Sequence, residues 1–529
     1  MIKKIKRYIA KIDWWVFGII TASLLLLSKT FQIKFSWIDD GWNIVVARDL
    51  FRNLTHLNLN GVFGGLVESS IGRFRPVYWV WQVVVYLIGG QQSSVHYLLH
   101  AFLIVSILIL VYKIILLVSN SKQVSALGSF LVLLFPLNFE NWIRLGPQEP
   151  LMILFILISV YSLLKNDDYK KPVFFIVLAL LTKETAVAVI PCLIVYSCFT
   201  YIINRKDLKL VKITALTIFV GLISVLINSF NRKGYSSYYS FNLLTAKYNF
   251  ILYLNMLIRA FPVIWLFLTT LIFRNLRPVV NFKFTSIKLY EVRKIFFLIL
   301  SLMFVAIQSP WAWVLDRYML PSIVFGIIFV CLELNSILVF LDNQRKIKIL
   351  AIIIGSIYLL QFGIVSIFKL NESITRQLHM TNNIYNMIKR ISETTPNNGR
   401  LYLNFIDNDA TYELLFETKI HLDLFFDRQD IVANYIEYKD VNNDYIVLSG
   451  SPLGNFPFTT DDKLSATKRI KNMESYTSID KFMVLNNPET IARQMVKKII
   501  RLIRNGENVN SDGLYTDYLL KDNWRIYYY

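Results

Sequence analysis

Two adjacent carboxylates, Asp39 and Asp40 in "SWIDDGWN", stand directly after the first long apolar run of the chain. Side by side they repel each other, so a structure must supply partners or water for both, and a reaction needs at least one of them charged. More charges interrupt apolar segments downstream: Arg73 and Arg75 before Pro76 in "GRFRPVYWVW", and Arg144, Gln148 and Glu149 in "NWIRLGPQEPLMILF". Lys183 and Glu184 follow in "LLTKETAVAVIP", then Asp316 and Arg317 in "WVLDRYMLP". Each has a plain structural reading, since acids cap helix N-termini and arginines snorkel to lipid headgroups. As a set they suit chemistry on a phosphate. An arginine fork grips phosphate oxygens, cations neutralise charge on a phosphate leaving group, and a carboxylate can deprotonate an incoming hydroxyl.

The elements that must position these residues are membrane helices. The 529 residues are 55% hydrophobic and 15% aromatic, with a mean hydropathy of +0.47, too apolar for a soluble chain of this length. Runs such as "WVFGIITASLLLL", "AFLIVSILILVYKIILLV" and "ILAIIIGSIYLLQFGIVSIF" are long enough, with modest tilt, to cross about 30 Å of hydrocarbon. The first follows "MIKKIKRYIAKID" without a small-residue cleavage site, which reads as a retained helix with its N-terminus in the cytoplasm. With about eleven helices, the basic turns around Lys122, Lys170, Arg205, Arg277 and Arg345 fall on the cytoplasmic side, as the positive-inside rule requires. Asp39, Arg75, Glu149, Lys183 and Arg317 then all fall outside. The +20 net charge and pI near 9.6 follow from this topology and anionic lipid, and nucleic-acid binding is a poor reading.

The expected architecture is therefore mainly α: a transmembrane domain over residues 1–368 and an extracytoplasmic soluble α/β domain over 369–529. The tail alternates polar and apolar residues, with strand-like "RLYLNFI" and "DYIVLSG" and an amphipathic "PETIARQMVKKIIRLIRNG". In the first external loop, "DDGWNIVVARDLFRNL" reads as a surface helix with Trp42, Val45, Val46 and Leu50 on an apolar stripe. The cysteines Cys192, Cys198 and Cys331 lie in apolar runs, so no external disulfide framework exists. His96 and His100, at i and i+4, lack a carboxylate partner on that face and read as packing residues. The tail aromatics Phe425, Phe426, Tyr435 and Tyr438 read first as core and second as a sugar-binding groove.

In order and spacing, "IDDGWNIVVARDL", "RFRPVYWVW" and "RLGPQEPLMILF" resemble the signatures of the GT-C superfamily of integral-membrane glycosyltransferases. The likeness is to its branch containing protein O-mannosyltransferases and the lipid A aminoarabinose transferase, and "LTKE" and "DRYMLP" resemble two later signatures. It covers about the first two thirds of the chain through short, degenerate motifs. The resemblance implies sugar transfer from a polyprenyl-phosphate donor to a hydroxyl on an extracytoplasmic glycan, lipid or protein, with inversion at the anomeric carbon. Asp39 would be the base, with Asp40, standing where the family has glutamate, as helper. Arg75, Arg73, Lys183 and Arg317 would hold the donor phosphate. Glu149, Gln148, Arg144, Glu184 and Trp42 would position substrate. The resemblance names no definite cofactor; a divalent cation on Asp39 and Glu149 is the one candidate, and the enzyme would sit in the plasma membrane. The rivals are a flippase for polyprenyl-linked glycans, for which the internal symmetry of transporters is lacking, and a cell-wall-binding scaffold.

Overall fold

The computed structural model describes residues 13–36, 39–68, 74–165, 168–203, 208–230, 243–260, 289–310, 314–395, 397–398, 400–404, 410–435, 445–450, 472–485 and 515–528. Helices dominate: α1 (Trp14–Leu27), α2 (Asp40–Thr55), α3 (Leu59–Glu68), α4 (Pro76–Gly89), α5 (Ser93–Ser119), α6 (Lys122–Leu134) and the short α7 (Phe139–Ile143). They continue as α8 (Glu149–Leu164), α9 (Lys170–Leu180), α10 (Val189–Ile203), α11 (Leu208–Phe230), α12 (Leu243–Ala260), α13 (Leu289–Gln308), α14 (Leu320–Phe340) and α15 (Arg345–Thr394). Five helical segments are long and apolar enough to cross a membrane: Trp14–Gln32, Ser93–Ser119, Glu184–Ile202, Asp316–Phe340 and Arg345–Glu393. The bent pair Lys122–Leu134 and Pro136–Ile143 brings the number to six among the described residues. The chain is a multi-pass membrane protein. Pro76–Gly89, Glu149–Leu164 and Leu210–Ser224 are apolar but shorter, and residues 261–288, which hold a further expected span, lie outside the described residues.

By its contacts the chain divides into two compact units. The first comprises Met1–Ser28, Val46–Val85 and Leu98–Gly363. Its centre is the antiparallel-style helix packing of α13 on α14, α8 on α9 and α10 on α13. Phe325 there stacks between Phe297 and Phe304, with ring centroids 6.3 and 6.0 Å away. The sharpest bend, 59°, has a local cause. Pro136 has no N–H to continue α6 and pushes Phe135 into extended geometry at φ −73°, ψ 119°. The carbonyls left over at the end of α6 find side chains instead: Asn138 Nδ2 donates to Val132 O at 2.8 Å and Trp142 Nε1 to Leu133 O at 3.1 Å.

The second unit comprises Lys29–Val45, Tyr86–Tyr97 and Ile364–Tyr529. Helix α15, which the division cuts after Gly363, is 50 residues long, about 75 Å at the usual rise, more than twice the hydrocarbon thickness of about 30 Å. The boundary expected at 368/369 falls inside it. Ile352, Ile353, Ile357 and Leu360 of its first half are exposed, as lipid-facing positions are, whereas Ile374, Ile384, Ile388 and Ile391 of its second half are buried. Beyond it lie β1 (Arg400–Asn404), α16 (Ala410–Phe426), β2 (Val432–Tyr435), β3 (Tyr445–Gly450), β4 (Asn472–Leu485) and β5 (Tyr515–Tyr528). The sheet order is β2-β1-β3-β5-β4. β1 runs parallel to both β2 and β3, so α16 is the crossover that parallel pairing demands.

Close helix packing in the first unit depends on Gly128 of α6. A Cβ there would stand 2.3 Å from Ile115 Cδ1 and 3.1 Å from Cys331 Sγ, the small-residue contact typical of membrane helices. Gly128→Leu is expected to lower the unfolding temperature in detergent, at a cost of about 1–3 kcal/mol. Gly64→Leu, where nothing lies within 4 Å of a Cβ, is the control and should leave it unchanged.

Candidate functional site

The first unit gathers charges from four helix mouths. Arg75 precedes Pro76, whose fixed φ and missing N–H suit the first turn of α4. The Arg75 fork meets both oxygens of Glu184, Nη2 to Oε1 at 2.6 Å and Nε to Oε2 at 2.9 Å, while Nη1 donates to Gln148 Oε1. Glu149, the first residue of α8 and 1% exposed, forms an ion pair with Lys183. Lys183 sits in the break between α9 and the turn that begins at Glu184, so one short sequence supplies a cation to Glu149 and an anion to Arg75. On the far side Arg144 Nη1 binds Glu140 at 2.7 Å, and Arg317 Nη1 lies 3.5 Å from the same oxygen. The Lys183 ammonium and the Arg317 guanidinium both lie over the Tyr318 ring, 4.7 and 5.6 Å from its centroid. Like charges are thus held close together and steadied by an aromatic face and by carboxylates, a cradle for an anion.

Asp39 and Asp40 belong to the second unit, where they open α2. Asp39 has a left-handed φ of +70° and its carbonyl accepts the first helical bond, from Asn43 N at 3.0 Å. Asp40 is buried, and its Oδ2 takes the Ser36 N–H at 2.7 Å. Asp40 thus binds the segment before α2, and the third acid at this turn was not foreseen. Glu417 of α16 is 3% exposed, and its Oε1 accepts the Trp42 N–H at 3.0 Å. Its Oε2 would lie 2.3 Å from a Cβ at Gly41, so only glycine admits this carboxyl to the start of α2. Burial, and then the charges of Asp39 and Asp40, push the Glu417 carboxyl well above the usual range. His421, one turn on, has Nδ1 2.8 Å from the Glu417 carbonyl oxygen, and burial drops its imidazole to about 4. The available signal was the pair Glu417 and His421 at i and i+4 within an otherwise apolar face of a tail helix.

Other expected residues take other places. Trp42 is half-buried with its ring 5.0 Å from that of Phe416, and Val46 and Leu50 are buried as the stripe requires. Arg73 and Tyr438 lie outside the described residues. His96 and His100 each have a backbone partner, Gly90 O at 2.9 Å and Asn141 O at 2.8 Å. Cys192, Cys198 and Cys331 are free thiols. For a divalent cation the residues fit poorly: Glu149 is already neutralised by Lys183, and no group of three or more His, Cys, Asp or Glu able to hold a metal occurs among the described residues.

Comparison with known proteins adds one likeness. No family model and no curated protein matches the chain. Among solved structures, the crystal structure of ArnT from Cupriavidus metallidurans bound to undecaprenyl phosphate is similar at a TM-score of 0.46 and 12% identity, covering 90% of this chain and 96% of that chain. The residues, rather than this likeness, carry the functional reading.

Two outcomes test the geometry. Lys183→Met leaves Glu149 buried without its cation and is expected to cost about 3 kcal/mol or more. The double variant Lys183→Met/Glu149→Gln should recover most of that loss in detergent unfolding. For Glu417, a pKa raised in the folded state contributes stability that is fully present below the unfolded value and lost as pH rises through the folded one. His421 acts oppositely, losing stability as pH falls from 6.5 toward 4. Above pH 6.5 only the Glu417 effect remains of the two. Measured relative to Glu417→Gln, the unfolding temperature of the wild type should fall as pH rises from the usual carboxylate range.

Proposed function

We propose that this chain is a polyprenyl-phosphate-dependent glycosyltransferase that moves a sugar onto a hydroxyl of an extracytoplasmic acceptor. The observation that supports this best is the convergence of Lys183 and Arg317 on the Tyr318 ring, with the Arg75 fork held ready by Glu184 and Gln148. These basic groups, each steadied by a carboxylate, gather at the mouths of apolar helices, the depth at which a membrane offers lipid phosphate. Arg75, Arg73, Lys183 and Arg317 bind the donor phosphate, with Glu149 holding Lys183 and with Glu184 and Gln148 holding Arg75, and Arg144 positions substrate.

In the reaction the acceptor oxygen attacks the anomeric carbon as the bond from that carbon to the phosphate oxygen breaks. The electron pair leaves with the lipid phosphate, whose growing charge the cations offset. The acceptor proton passes to the carboxylate of Asp39, the general base, and one displacement inverts the anomeric centre. Asp40, bound to the Ser36 N–H, fixes the turn on which Asp39 stands, and Trp42 positions substrate beside it. The protein works as a multi-pass enzyme of the plasma membrane with its tail domain outside.

The test uses the full chain in nanodiscs, a synthetic polyprenyl-phosphate sugar, and envelope extract of a deletion strain as acceptor. Asp39→Asn should lower transfer about 10²–10⁴-fold with donor binding retained. Arg75→Lys should raise the donor KM about tenfold, because a point charge replaces a planar fork. Unchanged transfer in Asp39→Asn would remove the base assignment, and movement of labelled donor across vesicles without any transfer would favour the flippase.

A further inference from the structure

A cavity of about 300 Å³ lies wholly within the second unit, between residues 31–35, the turn 91–94, Tyr385 of α15 and two residues of α16. Its volume is at the lower end of the range for ligand pockets, room for one ring-sized group rather than an extended chain. Its inner wall is aromatic: Phe35 and Phe425 stack at 5.5 Å with their planes 16° apart, and His421, neutral at physiological pH, closes that side. Its rim is polar in a specific way. The amides of Gln91 and Gln92 and the hydroxyl of Ser93 line it, and none forms a side-chain hydrogen bond with another described residue. Lys34 contributes the charge; its ammonium rests 5.5 Å from the Tyr385 ring centroid and pairs with no carboxylate among the described residues. No Asp or Glu is among the described residues that line the cavity.

An apolar wall opposite amide and hydroxyl groups matches a pyranose, which has C–H faces and a hydroxyl-bearing edge. The Lys34 ammonium, with no acid among the described lining residues, selects an anionic substituent on that ring. We propose that this cavity binds an acidic sugar unit, a pyranose bearing a carboxylate or phosphate, and that Lys34 is its specificity residue. That the unit belongs to the acceptor glycan rests on the transferase reading; recognition of the sugar does not. The location agrees with an acceptor, because residues 31–35 and 91–94 adjoin the ends of two membrane-spanning segments, Trp14–Gln32 and Ser93–Ser119.

The experiment is ligand-observed NMR on the full chain in phosphatidylcholine nanodiscs, with methyl glucuronide, methyl glucoside and acetate as probes. The glucuronide should bind about five- to tenfold more tightly than the glucoside at low salt, the gain of one partly exposed charge-assisted contact. Lys34→Gln should erase that preference while the glucoside still binds, and Tyr385→Ala should weaken both sugars. Asp39→Asn should leave the binding unchanged, so loss of transfer there and loss of binding here report on different readings. No sugar binding, a preference that survives Lys34→Gln, or acetate competing as well as the glucuronide would each overturn the proposal. So would displacement of the glucuronide when phosphatidylglycerol replaces the phosphatidylcholine, since the cavity would then be a lipid headgroup site.

Discussion

The Lys183–Glu149 ion pair is the contact on which the first unit's charged site depends. A carboxylate that is 1% exposed at the head of an apolar helix exists only because an ammonium meets it, and neither partner is tolerable alone. That pair fixes the approach of α8 to the break after α9. Because Glu184 is next in sequence, it also fixes where the Arg75 fork can be satisfied. Backbone agrees with side chain here, since Val77 N donates to Leu181 O at 3.2 Å and so ties the start of α4 to the same break. One adjacent Lys-Glu dipeptide therefore brings three helices to a common edge.

Prolines and glycines decide where such edges form. Pro76 starts α4 immediately after Arg75, Pro136 stops α6 and turns the chain toward Glu140 and Arg144, and Pro150 sits in the first turn of α8 beside Glu149. In each case a proline marks a helix boundary that carries a charge beside it. Gly41 does the reverse: lacking a Cβ, it lets another acid approach the start of α2.

Much of this was legible in the sequence because apolar length and interrupting charge are local signals. The helix over "DDGWNIVVARDLFRNL" and the charges at the helix mouths could be read that way. The partners could not. Nothing in "LTKE" says that Lys183 turns to Glu149 and Glu184 to Arg75, because residues 34 and 109 positions apart meet only through packing. The span count was obscured for a related reason. Periodicity scores apolarity, but α4 and α8 are apolar helices of only 14 and 16 residues, short for a bilayer of about 30 Å. Glu417 and His421 at i and i+4 were a local hint in the tail helix, but the turn that the acid meets, 375 residues away, was not.

The two charged centres solve opposite electrostatic problems. In the first unit, cations are concentrated and kept charged by carboxylates, which suits the binding of an anion. At the start of α2 three acids are concentrated, and two of them, Asp40 and Glu417, are buried. Burial, and then the two neighbouring acids, raise the Glu417 carboxyl well above its usual range although two helix amides are drawn to its oxygens. Removing charge from one member of such a cluster lowers the repulsion on the rest. The tail helix α16 thereby brings a third acid to the turn that follows the first membrane span.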